Sequence, residues 1–136
     1  MKVQLDFDAY EPVRAHTTDA GLDIRAAHSG IVRAHQSAVF RTGVHVQLPP
    51  GTFGDMRSKS GLMFNHDITS DGTIDAGYRG DIRVKLFNHG DTDYVVRPGD
   101  KITQLVVVPV DIEPVEIVDA LDGGERGDRG FGSTGR

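Results

Sequence analysis

At 136 residues the chain has room for one domain, and its 15 Lys and Arg against 20 Asp and Glu leave a net charge of −5. That balance excludes a sequence-independent nucleic-acid binder, which needs a basic face to release counterions. The absence of cysteine excludes disulfides and cysteine-based zinc sites. No apolar run approaches the ~18 residues of a membrane helix and no signal-peptide pattern opens the chain, so the expectation is a soluble, cytoplasmic protein.

Taken in chain order, the apolar pattern is that of strands. "GIVRA" (30–34) and "AVFRT" (38–42) are short strand candidates. "GVHVQL" (43–48) alternates, with Val44, Val46 and Leu48 on one face, the period of a half-buried strand. "SGLMF" (60–64) is the one helical candidate, a turn or two long. "DIRVKL" (81–86) alternates again through Ile82, Val84 and Leu86. "QLVVVPV" (104–110) is continuously apolar, as expected of a strand covered on both sides, with Pro109 marking a break near its end. "VEIVDAL" (115–121) is the last strand candidate. Turn signals stand between these runs at "LPPGTFGD" (48–55), "SDGT" (70–73), "NHGDTD" (88–93) and "RPGD" (97–100). Many short strands at short intervals predict an all-β sandwich or barrel. After Leu121 the apolar pattern stops. Gly123, Gly124, Gly127, Gly130, Gly132 and Gly135 crowd the remainder, which adds almost nothing to a core. With a core drawn from a shortened chain, association with other subunits is expected.

Three stretches carry chemistry. "RGDRGFGSTG" (126–135) reads as an anion loop: glycines let successive N–H groups converge on phosphate oxygens, Ser133 and Thr134 add hydroxyls, and Arg126 and Arg129 add charge. Phe131 is a large ring with no core to join, suited to stacking on a nucleobase. The same composition is also that of a tail without fixed structure. "RSKSGL" (57–62) sets Arg57, Lys59 and Ser60 before Gly61 and the start of a helical turn, an anion site or ordinary turn chemistry. In "GTIDAGYRGDI" (72–82), "SDGT" and "AGYRG" look like a hairpin tip with Asp75 on it. An Asp so placed can orient and deprotonate a water for attack on phosphorus, or bond its own backbone as turn Asp residues do. The six histidines have no paired spacing for a metal.

"AGLDI" (20–24), "RSKSGL", "GTIDAGYRG", "GDKITQL" (99–105) and "RGDRGFGSTG" resemble, in order and spacing, the five motifs of the trimeric dUTP pyrophosphatases. The resemblance implies a distorted jelly-roll β-barrel over residues 1–122 and a glycine-rich arm over 123–136 that closes on the active site. It implies a homotrimer with sites shared between subunits, and hydrolysis of dUTP to dUMP and pyrophosphate with Mg²⁺. That activity keeps uracil out of DNA and supplies dUMP for dTMP synthesis. By the same resemblance Asp75 is the water-activating base and Tyr78 packs on the deoxyribose, leaving no room for a ribose hydroxyl. Thr69, Thr73 and Ile74, with Arg83 on the returning strand, line the uracil slot. Lys59, Ser60, Gly61 and Gln104 meet phosphates. Arg126, Phe131, Gly132, Ser133 and Thr134 form the lid, and Asp23 lies near the water shell of an Mg²⁺ that the triphosphate mainly holds.

Three positions depart from the family pattern: Lys59 replaces the usual arginine, Thr69 a common asparagine, and Arg129 a glycine. A dCTP deaminase shares the fold and is the near alternative; a nucleotide-sensing regulatory protein with a partner of its own is the alternative of another class.

Overall fold

The computed structural model describes residues 1–125, 127 and 128. Ten strands and one short helix follow in the order β1 (Lys2–Leu5), β2 (Gly21–Arg25), β3 (Gly30–Val32), β4 (Ser37–Arg41), β5 (Val44–Gln47), β6 (Thr52–Arg57), α1 (Ser60–His66), β7 (Ile68–Asp75), β8 (Arg83–Asn88), β9 (Tyr94–Val96) and β10 (Lys101–Pro109). Every pairing is antiparallel. The main sheet has the order β2-β10-β6-β7-β8-β4, and β1-β5 and β3-β9 form two further pairs. Three of the five neighbour pairs in this sheet, β2-β10, β10-β6 and β8-β4, join strands that are not consecutive in sequence, as in the expected distorted jelly roll.

The alternation in the sequence decides which faces turn inward. Val44, Val46 and Leu48, and Ile82, Val84 and Leu86, are buried together with Ile24, Phe40, Ile102 and Leu105 in one core. Each such side chain contributes about 1.5–3 kcal/mol on full burial. Gly54 of β6 leaves the space that Leu105 of β10 occupies: a Cβ there would fall 2.7 Å from Leu105 Cδ1 and 3.1 Å from Ile74 Cβ. Close packing of these three strands fixes the sheet that carries the site residues.

Four expectations need correction. "SDGT" is no turn: Asp71 and Gly72 lie within β7, opposite Arg57 and Met56. "LPPGTFGD" turns only at its start, since the strand resumes at Thr52. Local Asp-Gly chemistry is overridden in β7 by cross-strand pairing, whereas Pro50 and Gly51 do turn, with Gly51 at φ 70°. "VEIVDAL" is not a strand in this chain: it pairs with none of the sheets, and Val115, Ile117 and Leu121 are at least 90% exposed. In β10 only Ile102, Thr103 and Leu105 are buried, and Val106 to Val108 are half-buried, so the strand is not covered on both sides along its length. The helix falls where "SGLMF" predicts it, running two residues further to His66.

Candidate functional site

The first cluster is made by two strands that part. β7 pairs with β8 only over Ile68–Ser70, opposite Asn88–Leu86, and pairs with β6 over Asp71–Asp75. Continued register would set Thr73 opposite Arg83, but the ladder ends before it. The Asp75 carbonyl accepts from its own turn, but the other backbone N–H and C=O groups of Thr73–Asp75 that face β8 have no ladder partner there and need a hydrogen-bonding occupant or water. The opening is a cavity of about 190 Å³ lined by Thr73, Ile74, Asp75, Tyr78 and Arg83. Asp75 also lines a larger hollow of about 630 Å³ on its other side, with Thr52, Phe53, Ala76, Gly77, Val110 and Ile112.

The turn beyond Asp75 fixes Tyr78. The Tyr78 N–H donates to the Asp75 carbonyl at 3.0 Å and its Oη donates to the Asp81 carbonyl at 3.0 Å. The ring lies over Gly80, where a Cβ would fall 2.5 Å from Cζ and 2.9 Å from Cε2, so no larger residue fits beneath it. Asp81 ties the turn to the body: its Oδ1 accepts from the Gly43 N–H at 2.8 Å and the Thr42 N–H at 3.3 Å, and its Oδ2 faces Arg41 Nε at 3.3 Å. Asp75 and Tyr78 remain open to solvent, while Thr42 and Gly43, which anchor Asp81, are buried.

The second cluster is built around Asp23, a buried carboxylate on β2. Its Oδ1 accepts from Lys59 Nζ and from Gln104 Nε2 at 3.4 Å, and its Oδ2 accepts from Lys101 Nζ at 2.7 Å. Burial on its own would push this carboxyl up, but hydrogen bonds from Lys101 and Lys59 outweigh it and hold Asp23 below the usual carboxylate value. Lys59 is the residue before α1, with extended backbone and no side-chain cap on the helix. Ser60 and Gly61 follow it at an exposed first turn that carries no acidic residue.

Lys101 has no role in the sequence reading, and the reason is geometric. Strict alternation along β10 sets Lys101 with Thr103, on the opposite face from Gln104. A β-bulge shifts the register, so that Gln104 pairs with Asp23, Thr103 with Ile24 and Lys101 with Arg25. The extra residue turns Lys101 onto the Asp23 face. Only the bulge would have revealed this, and no residue type in "GDKITQL" announces it.

Of the predicted residues, Thr73, Ile74, Asp75, Tyr78 and Arg83 meet at one cavity, and Asp23, Lys59 and Gln104 meet at the other cluster. Thr69 stands apart from both: its Oγ1 bonds His89 Nε2 at 2.8 Å, and it lines a hollow of about 480 Å³ with Arg57, Ser58 and Met63. Arg57 is paired with Asp55 at 2.7 Å. Arg126, Arg129, Phe131, Gly132, Ser133 and Thr134 lie outside the described residues. The two clusters are separated along the sheet, since Asp75 pairs with Phe53 and Asp71 with Arg57. Four strand residues at ~3.3 Å each put about 13 Å between those ends.

A family model described as dUTPase matches residues 8–135. Deoxyuridine 5'-triphosphate nucleotidohydrolase of Clostridium acetobutylicum is 44% identical over 135 residues, covering 97% of this chain and 93% of that protein. The enzyme of the same name from Kluyveromyces lactis is 39% identical, covering 100% of this chain and 94% of its own length. Among solved structures, a mutant dUTPase of Staphylococcus bacteriophage 80alpha with dUpNHpp superposes with a TM-score of 0.92 at 30% identity, covering 99% of this chain and 98% of that one. A mutant dUTPase of phage phi11 of S. aureus, whose structure concerns the coordination of a structural Mg(II) ion, gives a TM-score of 0.80 at 29% identity, covering 88% and 96%.

Proposed function

The chain belongs to the dUTPase family, and on that premise we propose that it hydrolyses dUTP to dUMP and pyrophosphate. The observation that carries the reading is the parted β7/β8 hairpin, whose free backbone edge lines one cavity with Asp75, Tyr78 and Arg83. Uracil's donor and acceptor edge matches a strand edge of alternating N–H and C=O groups. Cytosine would leave buried groups unpaired, and a thymine methyl would not fit a narrow slot. Tyr78, fixed over Gly80, stands flush with the sugar and rejects a ribose hydroxyl. Asp75 takes the proton of the attacking water, and the proton passes to solvent from its exposed carboxylate.

Lys59, Ser60, Gly61 and Gln104 bind the phosphates, Lys59 sharing its ammonium between Asp23 and the substrate. Among the described residues no three His, Asp or Glu side chains gather as a metal site, and both Asp23 oxygens already accept from lysines. This donor set fits Mg²⁺ carried by the triphosphate, with Asp23 reaching its water shell at most. Bound there, the ion would shape the triphosphate and neutralise charge on the departing pyrophosphate.

The working unit in this reading is a homotrimer with sites made from more than one subunit. Two observations support it: the ~13 Å along the sheet between the Asp75 end and the Arg57 end that leads to Lys59 in one protomer, and the bare apolar side chains of Val115, Ile117 and Leu121, which a second copy would cover. Residues 1–122 form the body of each subunit, and the arm over 123–136, with Arg126, Phe131, Gly132, Ser133 and Thr134, closes over a bound nucleotide.

The test is a nucleotide panel of dUTP, dCTP, dTTP and UTP, with Mg²⁺ and with EDTA, scored for pyrophosphate and for ammonia. Pyrophosphate from dUTP alone, abolished by EDTA, is the expected result. Ammonia from dCTP would replace this activity with deamination.

A further inference from the structure

Behind the Asp75 turn lies a closed ring of polar contacts. His45, on β5, holds it at two points: Nδ1 is 2.9 Å from the Arg79 carbonyl and Nε2 is 3.2 Å from Asp6 Oδ1. Asp6 Oδ2 accepts from Arg41 Nη2 at 3.0 Å, and Arg41 Nε bonds Asp81 Oδ2 at 3.3 Å. Asp81 is two residues beyond Arg79, so the ring closes on the turn that carries Asp75 and Tyr78. A carbonyl and a carboxylate paired with arginine are both acceptors only. Neutral imidazole has one N–H and satisfies one of them; imidazolium satisfies both.

We propose that His45 is a positioning residue for the catalytic turn, and that loss of its proton loosens the Arg79 carbonyl or the Asp6 carboxylate and so detunes the site as pH rises. This rests on the hydrolase reading above.

The surroundings favour the charged form. The His45 side chain is 22% exposed. Its pKa is raised chiefly by the hydrogen bond to the Arg79 carbonyl, against the opposing effect of burial, with further help from Asp6 and from the charge of Asp81. The other groups facing it are Lys2 and Gln4 of β1, across the cavity that His45 and Arg79 also line. Gln4 pairs with His45 in register. The Arg79 guanidinium turns away to the Ala76 and Tyr78 carbonyls, 2.7 Å from each, and Arg41 also faces Asp8 at 3.7 Å. With a folded pKa above the unfolded value, the imidazolium's contribution is complete below the unfolded pKa and disappears as pH climbs through the folded one. The affected window opens at the ordinary histidine value of 6.5 and extends upward.

The experiment pairs two readouts on the intact protein. Imidazole and backbone NMR titrations give the His45 midpoint and show whether the Gly77, Tyr78 and Gly80 amides move with it. Profiles of kcat/KM for dUTP against pH give the activity limb. In the wild-type protein the amides titrate with His45, and kcat/KM falls on the alkaline side by about tenfold, the equivalent of one charge-assisted hydrogen bond. Asp6→Asn removes the carboxylate and shifts both the His45 midpoint and the activity limb to lower pH together. His45→Lys keeps a cation and flattens the limb. A limb that stays in place while the His45 midpoint moves in Asp6→Asn overturns the proposal, as do turn amides indifferent to His45. If dUTP is not hydrolysed at all, the functional reading fails by itself, and the amide titration still decides whether His45 holds the turn.

Discussion

The Asp75 turn and the Asp23 cluster each display an aspartate, and they treat it in opposite ways. Asp75 is exposed at the end of a strand, and the bonds that fix it are backbone bonds of its turn. Asp23 is buried, and its carboxylate is saturated by Lys59, Lys101 and Gln104. A base must keep its lone pairs free for a proton, whereas a structural anion must have every lone pair taken. Activity and stability should therefore separate between the two residues.

The largest effect is on the exposed side. Asp75→Asn keeps shape but cannot accept the proton, so kcat should fall by ~10² or more with the melting temperature unchanged. The same variant tests whether the sites are shared. Refolded together with a truncation lacking residues 123–136, itself nearly inactive, it should regain activity in mixed trimers, where one subunit gives Asp75 and another the arm. No recovery in trimers shown by mass to be mixed would confine each site to one chain.

The buried side should answer in stability. Asp23→Asn leaves two ammonium groups against a neutral amide. Both lysines retain some solvent contact, so the cost should be about 2 kcal/mol rather than the 3–5 of a fully buried pair. In the parent protein the folded pKa of Asp23 is depressed. Its contribution is present above the unfolded value of 3.8 and is lost as pH falls below it through the folded value. Urea unfolding across that acid range should show a slope that Asp23→Asn removes; an unaltered slope would mean the cluster adds nothing net.

Specificity should respond less, and without loss of fold. In Gly80→Ala the new methyl displaces the Tyr78 ring. The preference for dUTP over UTP should narrow by about tenfold, the scale of one lost packing contact in a pocket. Equal losses for both nucleotides would mean the ring supports the turn and does not gate the sugar.

The two clusters were not equally legible in the sequence. The residues of "GTIDAGYRGDI" and the Arg83 that follows it are legible because they are local: Thr73 to Arg83 are close in sequence and meet at one cavity. The parting of β7 from β8 was not legible, since "SDGT" has turn chemistry while its pairing with β6 is decided by residues far away in sequence. At the other cluster, Asp23, Lys59 and Gln104 could be named singly from their motifs. Their convergence depends on β2, β10 and the start of α1 meeting, and Lys101 on a bulge no pattern shows. His45 read only as the polar member of an alternating strand, its partners lying 39 residues before and 34 after it.

The smallest effect is the one that divides the cluster's two lysines. Lys59 and Lys101 hold different oxygens of Asp23, but only Lys59 adjoins the Ser60–Gly61 turn at which phosphates are proposed to bind. Lys101→Gln removes one of two cations, so Asp23 must lean more heavily on Lys59, and the Lys59 ammonium becomes less available to a phosphate. KM for dUTP should rise about threefold with kcat nearly unchanged, under 1 kcal/mol of binding. Lys59→Gln loses the phosphate contact itself and should raise KM further. If Lys101→Gln lowers stability but leaves KM alone, the pair acts only as a brace between β2 and β10. If it lowers KM, Lys101 does not relieve Lys59 of Asp23 and the proposed division between the two lysines fails.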